Sequence, residues 1–191
     1  MWTPRWARIV RLLGILVLSL LAAGPALAQT DRVLRVRTDS DYLRLVIASG
    51  MQRSATFRAI VERLEQSDVI VEVQCGHFVN TTLAGRTVLL SAQPDVRYVL
   101  VEVSCPVLSV PALATLGHEL RHALEIATAR WVVDSDSLAL LYSEIGFPNE
   151  RAKVAAFGQF ETADALDAGE RIHHELFHPG DFSRMAQVIT K

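Results

Sequence analysis

The sequence predicts an α+β fold: a small antiparallel or mixed sheet, followed by a helical half built around one long apolar-striped helix. Two patterns carry that reading. Between residues 68 and 104, short β-branched runs alternate with turn residues. Beyond residue 109, apolar residues recur at three- and four-residue spacing between recognisable helix caps and stops.

The N-terminal stretch is set apart from the fold. Arg5, Arg8 and Arg11 lead into the apolar run 12–21, and Ala26-Leu27-Ala28 supplies a small-residue cleavage site, the pattern of a signal peptide over residues 1–28. The mature chain is then expected to begin at Gln29 and to be exported, periplasmic or secreted. Gly14, Gly24 and Pro25 interrupt a run already short for a bilayer, and every later apolar run is broken by charges, so no stable membrane span is expected after cleavage. Residues 29–191 contain no repeat or low-complexity tract and suit a single domain with one core. Without the leader's three arginines, 16 basic residues face 21 acidic ones, a formal charge of −5. That balance argues against a nucleic-acid partner.

Residues 29–39 read as an irregular start. Residues 42–49 suit a short first helix, and Ser54 can cap a second over 55–66, where Phe57, Ile60, Val61 and Leu64 recur at helical spacing. Residues 68–75 read as a strand, and 86–92 and 97–104 as two more joined by Gln93-Pro94-Asp95, the chemistry of an antiparallel hairpin. Cys75 and Cys105 fall at strand ends in an oxidising compartment, where a disulfide and a pair of buried thiols are both compatible with their placement.

Ser109 is a good N-cap and Pro111 is tolerated in a first turn. Leu113, Leu116, Leu120 and Leu124 then form a buried stripe on a helix reaching residue 129. Residues 137–145 make a shorter helix stopped by Gly146 with Pro148 beyond it. The last helix is expected over 159–177, with Ala163, Ala165, Ala168 and Gly169 letting a neighbour approach closely. Trp131 is expected to pack at the end of the long helix.

The chemistry is concentrated in Gly117-His118-Glu119-Leu120-Arg121-His122, an H-E-x-x-H motif inside the long helix. On a helix, residues i and i+4 lie one above the other, so His118 and His122 can share one tetrahedral Zn²⁺ while Glu119 is displaced toward the water to be activated. Zinc acidifies water and the carboxylate of Glu119 takes its proton, which makes Glu119 the expected catalytic base of a hydrolase. From the chain's composition, about one such match in a hundred sequences would arise by chance, so the motif outweighs coincidence.

In these six residues the chain resembles the zincin metallopeptidases, and the expected fold is accordingly zincin-like. That resemblance implies an edge strand beside the motif helix, a place taken here by strand 97–104, along which a peptide or protein substrate can pair. Glu125 and Thr128 stand where the metzincin pattern has Gly and a third ligand, and the Asn-Glu-x-x-Ser-Asp signature of thermolysin-type enzymes is missing. Over most of its mature length the chain is similar to a family of short exported bacterial proteins of unknown function with a Gly-His-Glu-x-x-His-Ala-Leu-Glu pattern and a later Phe-Glu-Thr segment.

A catalytic zinc needs a third protein ligand. Glu161 is the choice: it is expected to open the last helix, far enough along the chain to fold back, and the position resembles that of the gluzincin ligand. Asp164 can orient a ligand histidine. Glu144 stays open as another ligand. Glu125 reads as a partner for a ligand histidine, for Arg121 or for Arg130. Tyr142 is a candidate to stabilise an oxyanion. His173, His174, His178 and Glu175 suit a solvated helix end better than a second weak metal site, and His77 suits an exposed loop. The leading expectation is a zinc-dependent metallopeptidase with His118, His122 and Glu161 as metal ligands and Glu119 as base. The alternative is a non-catalytic secreted metal-binding or interaction domain with a structural zinc.

Overall fold

A computed structural model describes residues 34–78, 84–105, 109–148 and 160–178. The expected signal peptide, the chain start at Gln29 and the first position of the expected last helix, Gln159, lie outside the described residues. The elements run β1 (Val36–Arg37), α1 (Asp41–Arg53), α2 (Ala55–Glu65), β2 (Val69–Cys75), β3 (Gly85–Gln93), β4 (Val96–Val103), α3 (Val110–Thr128), α4 (Ser135–Ile145), β5 (Gly146–Pro148), β6 (Phe160–Thr162) and α5 (Ala163–Phe177). The fold is α+β, with a four-stranded mixed sheet and a small antiparallel ribbon. Among the described residues no helix is long and apolar enough to cross a membrane.

Hydroxyl caps start four of the helices, because a side-chain oxygen satisfies an N–H that the first turn leaves without a partner. Ser40 accepts from Leu43 N, Ser54 from Phe57 N, Ser109 from Ala112 N and Thr162 from Ala165 N. Two helix starts differ from the sequence expectation. Helix α4 begins at Ser135, not 137, because the Asp134 carboxylate accepts from Ser137 N at 2.8 Å and forms a reciprocal cap. Helix α5 begins at Ala163, because Phe160, Glu161 and Thr162 are extended and pair antiparallel with Pro148, Phe147 and Gly146.

The large sheet has the order β1-β2-β4-β3. Strands β1, β2 and β4 are parallel, and β3 joins β4 antiparallel through the expected tight hairpin. Residues 36 and 37, expected to be irregular, pair with Val71 and Glu72. The strand expected at the edge, 97–104, is interior: β4 pairs with β2 on one side and β3 on the other, and its Val99, Val101 and Val103 alternate into the core. The edge beside the motif helix is therefore β3. A disulfide joins Cys75 at the end of β2 to Cys105 just beyond β4, tying the same end of two adjacent strands.

Helix α3 lies between the sheet and α5. Leu113, Leu116 and Leu120 are at most 1% exposed, and each stabilises the fold by about 2 kcal/mol through burial. Ala114 meets Gly169, Gly117 meets Ile172, Arg121 meets Asp164 and Glu125 meets Thr162, so α3 and α5 run antiparallel. Closeness is enforced by Gly117, where a Cβ would overlap Ile172 Cδ1 at 2.1 Å; Gly169 lies against His118, where a Cβ would make an ordinary contact at 3.4 Å.

The far end of α3 is fixed by a residue the sequence did not single out. Arg97, 2% exposed, donates to the carbonyls of Ile126, Ala127, Ala129 and Val132 at 2.7–3.1 Å and pairs with Asp68 through both its Nε and Nη2. A buried cation at the negative end of a helix dipole, sharing its charge with a carboxylate, satisfies carbonyls that would otherwise be stranded. Trp131, expected to pack at this end, is exposed, and Val132 takes the buried position in its place.

Candidate metal centre

The helical register of α3 sets His118 and His122 one turn apart, with ring centroids 4.9 Å apart and planes nearly perpendicular. The β5–β6 ribbon brings Glu161 to them: its Oε1 lies 3.3 Å from His118 Nε2 and 3.4 Å from His122 Nε2. One ligand atom from each of the three residues falls within 4.8 Å of the others. Glu161 thus joins the histidines as expected, but from a strand and not from the first turn of α5.

These distances exceed the 2.7–2.9 Å of a charge-assisted hydrogen bond. They match the edge of a tetrahedron around an ion with bonds near 2.1 Å, which is about 3.4 Å. Two imidazoles and a carboxylate are a donor set that zinc accepts, so the residues fit such an ion. The cluster is not sealed, since His118 and Glu161 side chains keep 18% and 13% exposure.

His122 is held from behind. Its Nδ1 lies 2.9 Å from Glu125 Oε2, and Glu125 Oε1 accepts from Thr162 Oγ1 at 2.7 Å. Thr162 in turn caps α5. A carboxylate on Nδ1 keeps a proton there, so that the neutral ring presents a bare Nε2 toward the side of Glu161. Glu125 also lies 3.9 Å from Arg121 Nε. Of the three partners foreseen for Glu125, a histidine and Arg121 are present together, whereas Asp164, foreseen as orienting a histidine, is exposed and pairs with Arg121. A cavity of about 380 Å³ opens along Glu125, Arg121, Thr162 and Leu141, outside the ligand cluster.

The electrostatics follow from burial and three carboxylates. Burial disfavours a charge on His122, yet the facing carboxylates of Glu125 and then Glu161 outweigh it and raise its pKa to about 9. Burial lowers that of His118, with Glu161 opposing. Burial alone would raise the Glu161 carboxyl, but His122 and His118 hold it below its ordinary value. The cluster calls for a cation at its centre. Protonated His122 supplies one, and a divalent ion can take that role with His122 neutral.

Glu119 points its carboxylate to the sheet side. It is 6% exposed, and Thr87 Oγ1 on β3 donates to its Oε2 at 2.7 Å. Burial raises its pKa to about 7 against the lowering influence of His122 and Thr87. A carboxylate poised at neutrality beside His118 and His122 is suited to accept and release a proton. Tyr142 sets its ring edge-on to His122 at 5.7 Å and stacks on Phe160. Burial and then the charges of Glu125, Glu119 and Glu161 push its hydroxyl up, so it stays protonated and able to donate.

The other candidates lie elsewhere. Glu144, His77, His173, His174 and His178 are exposed, and among the described residues only His118, His122 and Glu161 form a group of metal-binding geometry. Glu175 does not join its neighbouring histidines: it is buried and receives hydrogen bonds from Ser54 Oγ, Thr56 N and Thr56 Oγ1 at the start of α2. Comparison with family models, curated proteins and solved structures finds no match for this chain.

Proposed function

We propose that the protein is a zinc-dependent hydrolase, a metallopeptidase acting on peptide bonds of a peptide or protein substrate outside the cytoplasm. The observation that carries this is Glu161 Oε1 standing 3.3 and 3.4 Å from the Nε2 atoms of His118 and His122, the length of a tetrahedral edge, beside a buried glutamate on the same helix as the histidines. His118, His122 and Glu161 hold the ion, which when bound supplies Lewis acidity toward water and a carbonyl. Glu119 accepts the proton of the attacking water and returns it to the leaving nitrogen. Glu125 keeps His122 in the ligating tautomer.

A structural zinc requires a closed, four-ligand shell. The two oxygens of Glu125 are engaged by His122 and Thr162, and no fourth residue joins the three among the described residues, which favours an open fourth position. The test is the metal content of the purified protein beside His118→Ala. One equivalent of zinc, lost in the variant, supports the reading, and the cleavage of a mixed peptide library then identifies the substrate. A folded wild-type protein that takes up no zinc on reconstitution sinks it.

A further inference from the structure

The edge strand β3 holds the base. Thr87 Oγ1 lies 2.7 Å from Glu119 Oε2 and 3.0 Å from the main-chain oxygen of the same residue. A hydroxyl has one hydrogen, and the charged, nearer oxygen attracts it more strongly. The donor is rigid, because threonine is stiff at χ1 and its backbone is locked opposite Val101 in the β3–β4 ladder. Two residues earlier, on the same face of the strand, Gly85 leaves the carboxylate its room. A Cβ there would stand 2.7 Å from both Cγ and Oε1 of Glu119 and 3.0 Å from its Cδ.

The two contacts divide the carboxylate. Oε2 is tied to Thr87, and Oε1 receives no donor among the described residues, which leaves it a lone pair for an incoming proton. Among the described residues the strand reaches Glu119 but makes no hydrogen bond to the side chains of His118, His122 and Glu161, so the glutamate and that cluster are positioned by separate elements.

We propose that Thr87 is the positioning residue of Glu119, fixing by its hydroxyl which carboxylate oxygen faces the reacting water. Its catalytic meaning rests on the hydrolase reading, while its geometric content does not.

The experiment uses Thr87→Val, which keeps the shape and removes the donor, beside Thr87→Ser, which restores the donor. Thr87→Ala replaces the valine variant if that one does not fold. The protein is labelled with [¹³C]carboxyl glutamate, and the Glu119 resonance is assigned by its loss in Glu119→Gln. At one fixed pH the resonance shifts in Thr87→Val and returns in Thr87→Ser, while zinc affinity, read by competition with a chelator, stays within about threefold. With mixed-sequence quenched fluorescent peptides, kcat falls about 10- to 100-fold in Thr87→Val with KM little changed, and Thr87→Ser recovers most of it. An unmoved Glu119 resonance in Thr87→Val overturns the proposal, as does an unchanged kcat in an active protein. A wild type that cleaves nothing refutes the hydrolase reading, and the resonance still decides whether Thr87 holds Glu119.

Discussion

Glu175 on α5 and Glu119 on α3 are nearly equally hidden, at 3% and 6% exposure, but different partners meet them. Three donors reach Glu175, from Ser54 and Thr56, and they cover both of its oxygens. One hydroxyl reaches Glu119, on one oxygen. A carboxylate saturated at the start of a helix is a cap, stabilised by the N–H groups and dipole it neutralises. One left half-satisfied in a dry setting is costly to keep charged, and that cost is what makes it a proton acceptor near neutral pH. Glu125 stands between the two: both of its oxygens are engaged, one of them by the histidine it orients.

The comparison is broken most directly at the cap. Glu175→Ala removes the acceptor of the buried Ser54 hydroxyl and of Thr56 N and Oγ1 and is expected to cost about 3 kcal/mol of unfolding free energy in urea, while zinc affinity stays near the wild-type value. A loss of zinc without a loss of stability would place Glu175 in the site and not in the scaffold.

Glu119→Gln is expected to do the reverse. Hydrolysis disappears, zinc is retained, and stability rises in chelator-treated protein. The sign follows from the raised pKa: between about 4.5 and about 7 the folded chain holds this proton more tightly than the unfolded chain, so stability falls as pH climbs through that range. The glutamine variant lacks this fall and should gain on the order of 2 kcal/mol above pH 7, with no gain below pH 4.5. Urea titrations at pH 4 and pH 8 check it, and equal stabilities at both would remove the contrast with Glu175.

The smallest effect belongs to Asp68. Its pKa is lowered chiefly by the hydrogen bond from Arg97, so its contribution is present above the unfolded value and is lost as pH falls through the lower folded one. Asp68→Asn should be slightly less stable than wild type at pH 7 and converge with it in acid, as thermal melts across that range would register. Arg97 keeps its four carbonyl acceptors in the variant, which is why the change is small.

Much of the helical half was legible because its signals are local. Ser54 and Ser109 cap the helices expected of them, the Leu113, Leu116, Leu120 and Leu124 stripe is buried, and Gly146 ends α4. The small residues of α5 did predict a close neighbour, and Gly169 lies against His118. Edge and interior strands were exchanged, since alternation marks the face of a strand that is buried but not the neighbours it pairs with. Glu161 was found as a partner of the histidines but assigned to a helix, because the pairing that makes 160–162 a strand is contributed by residues 146–148.

By itself the sequence determined the α+β class, the helix that carries the motif and the presence of His118, Glu119 and His122 on one turn of it, because caps, apolar period and i to i+4 spacing are set within a few residues. Only the tertiary structure decided that Glu161 arrives from a ribbon, that Thr162 secures Glu125 behind His122, that Arg97 closes the far end of α3 and that Thr87 grips Glu119. Those contacts join residues 29 to 39 positions apart, and a contact between such residues leaves no periodic trace in the chain: it depends on which strand ends beside which helix, and packing settles that.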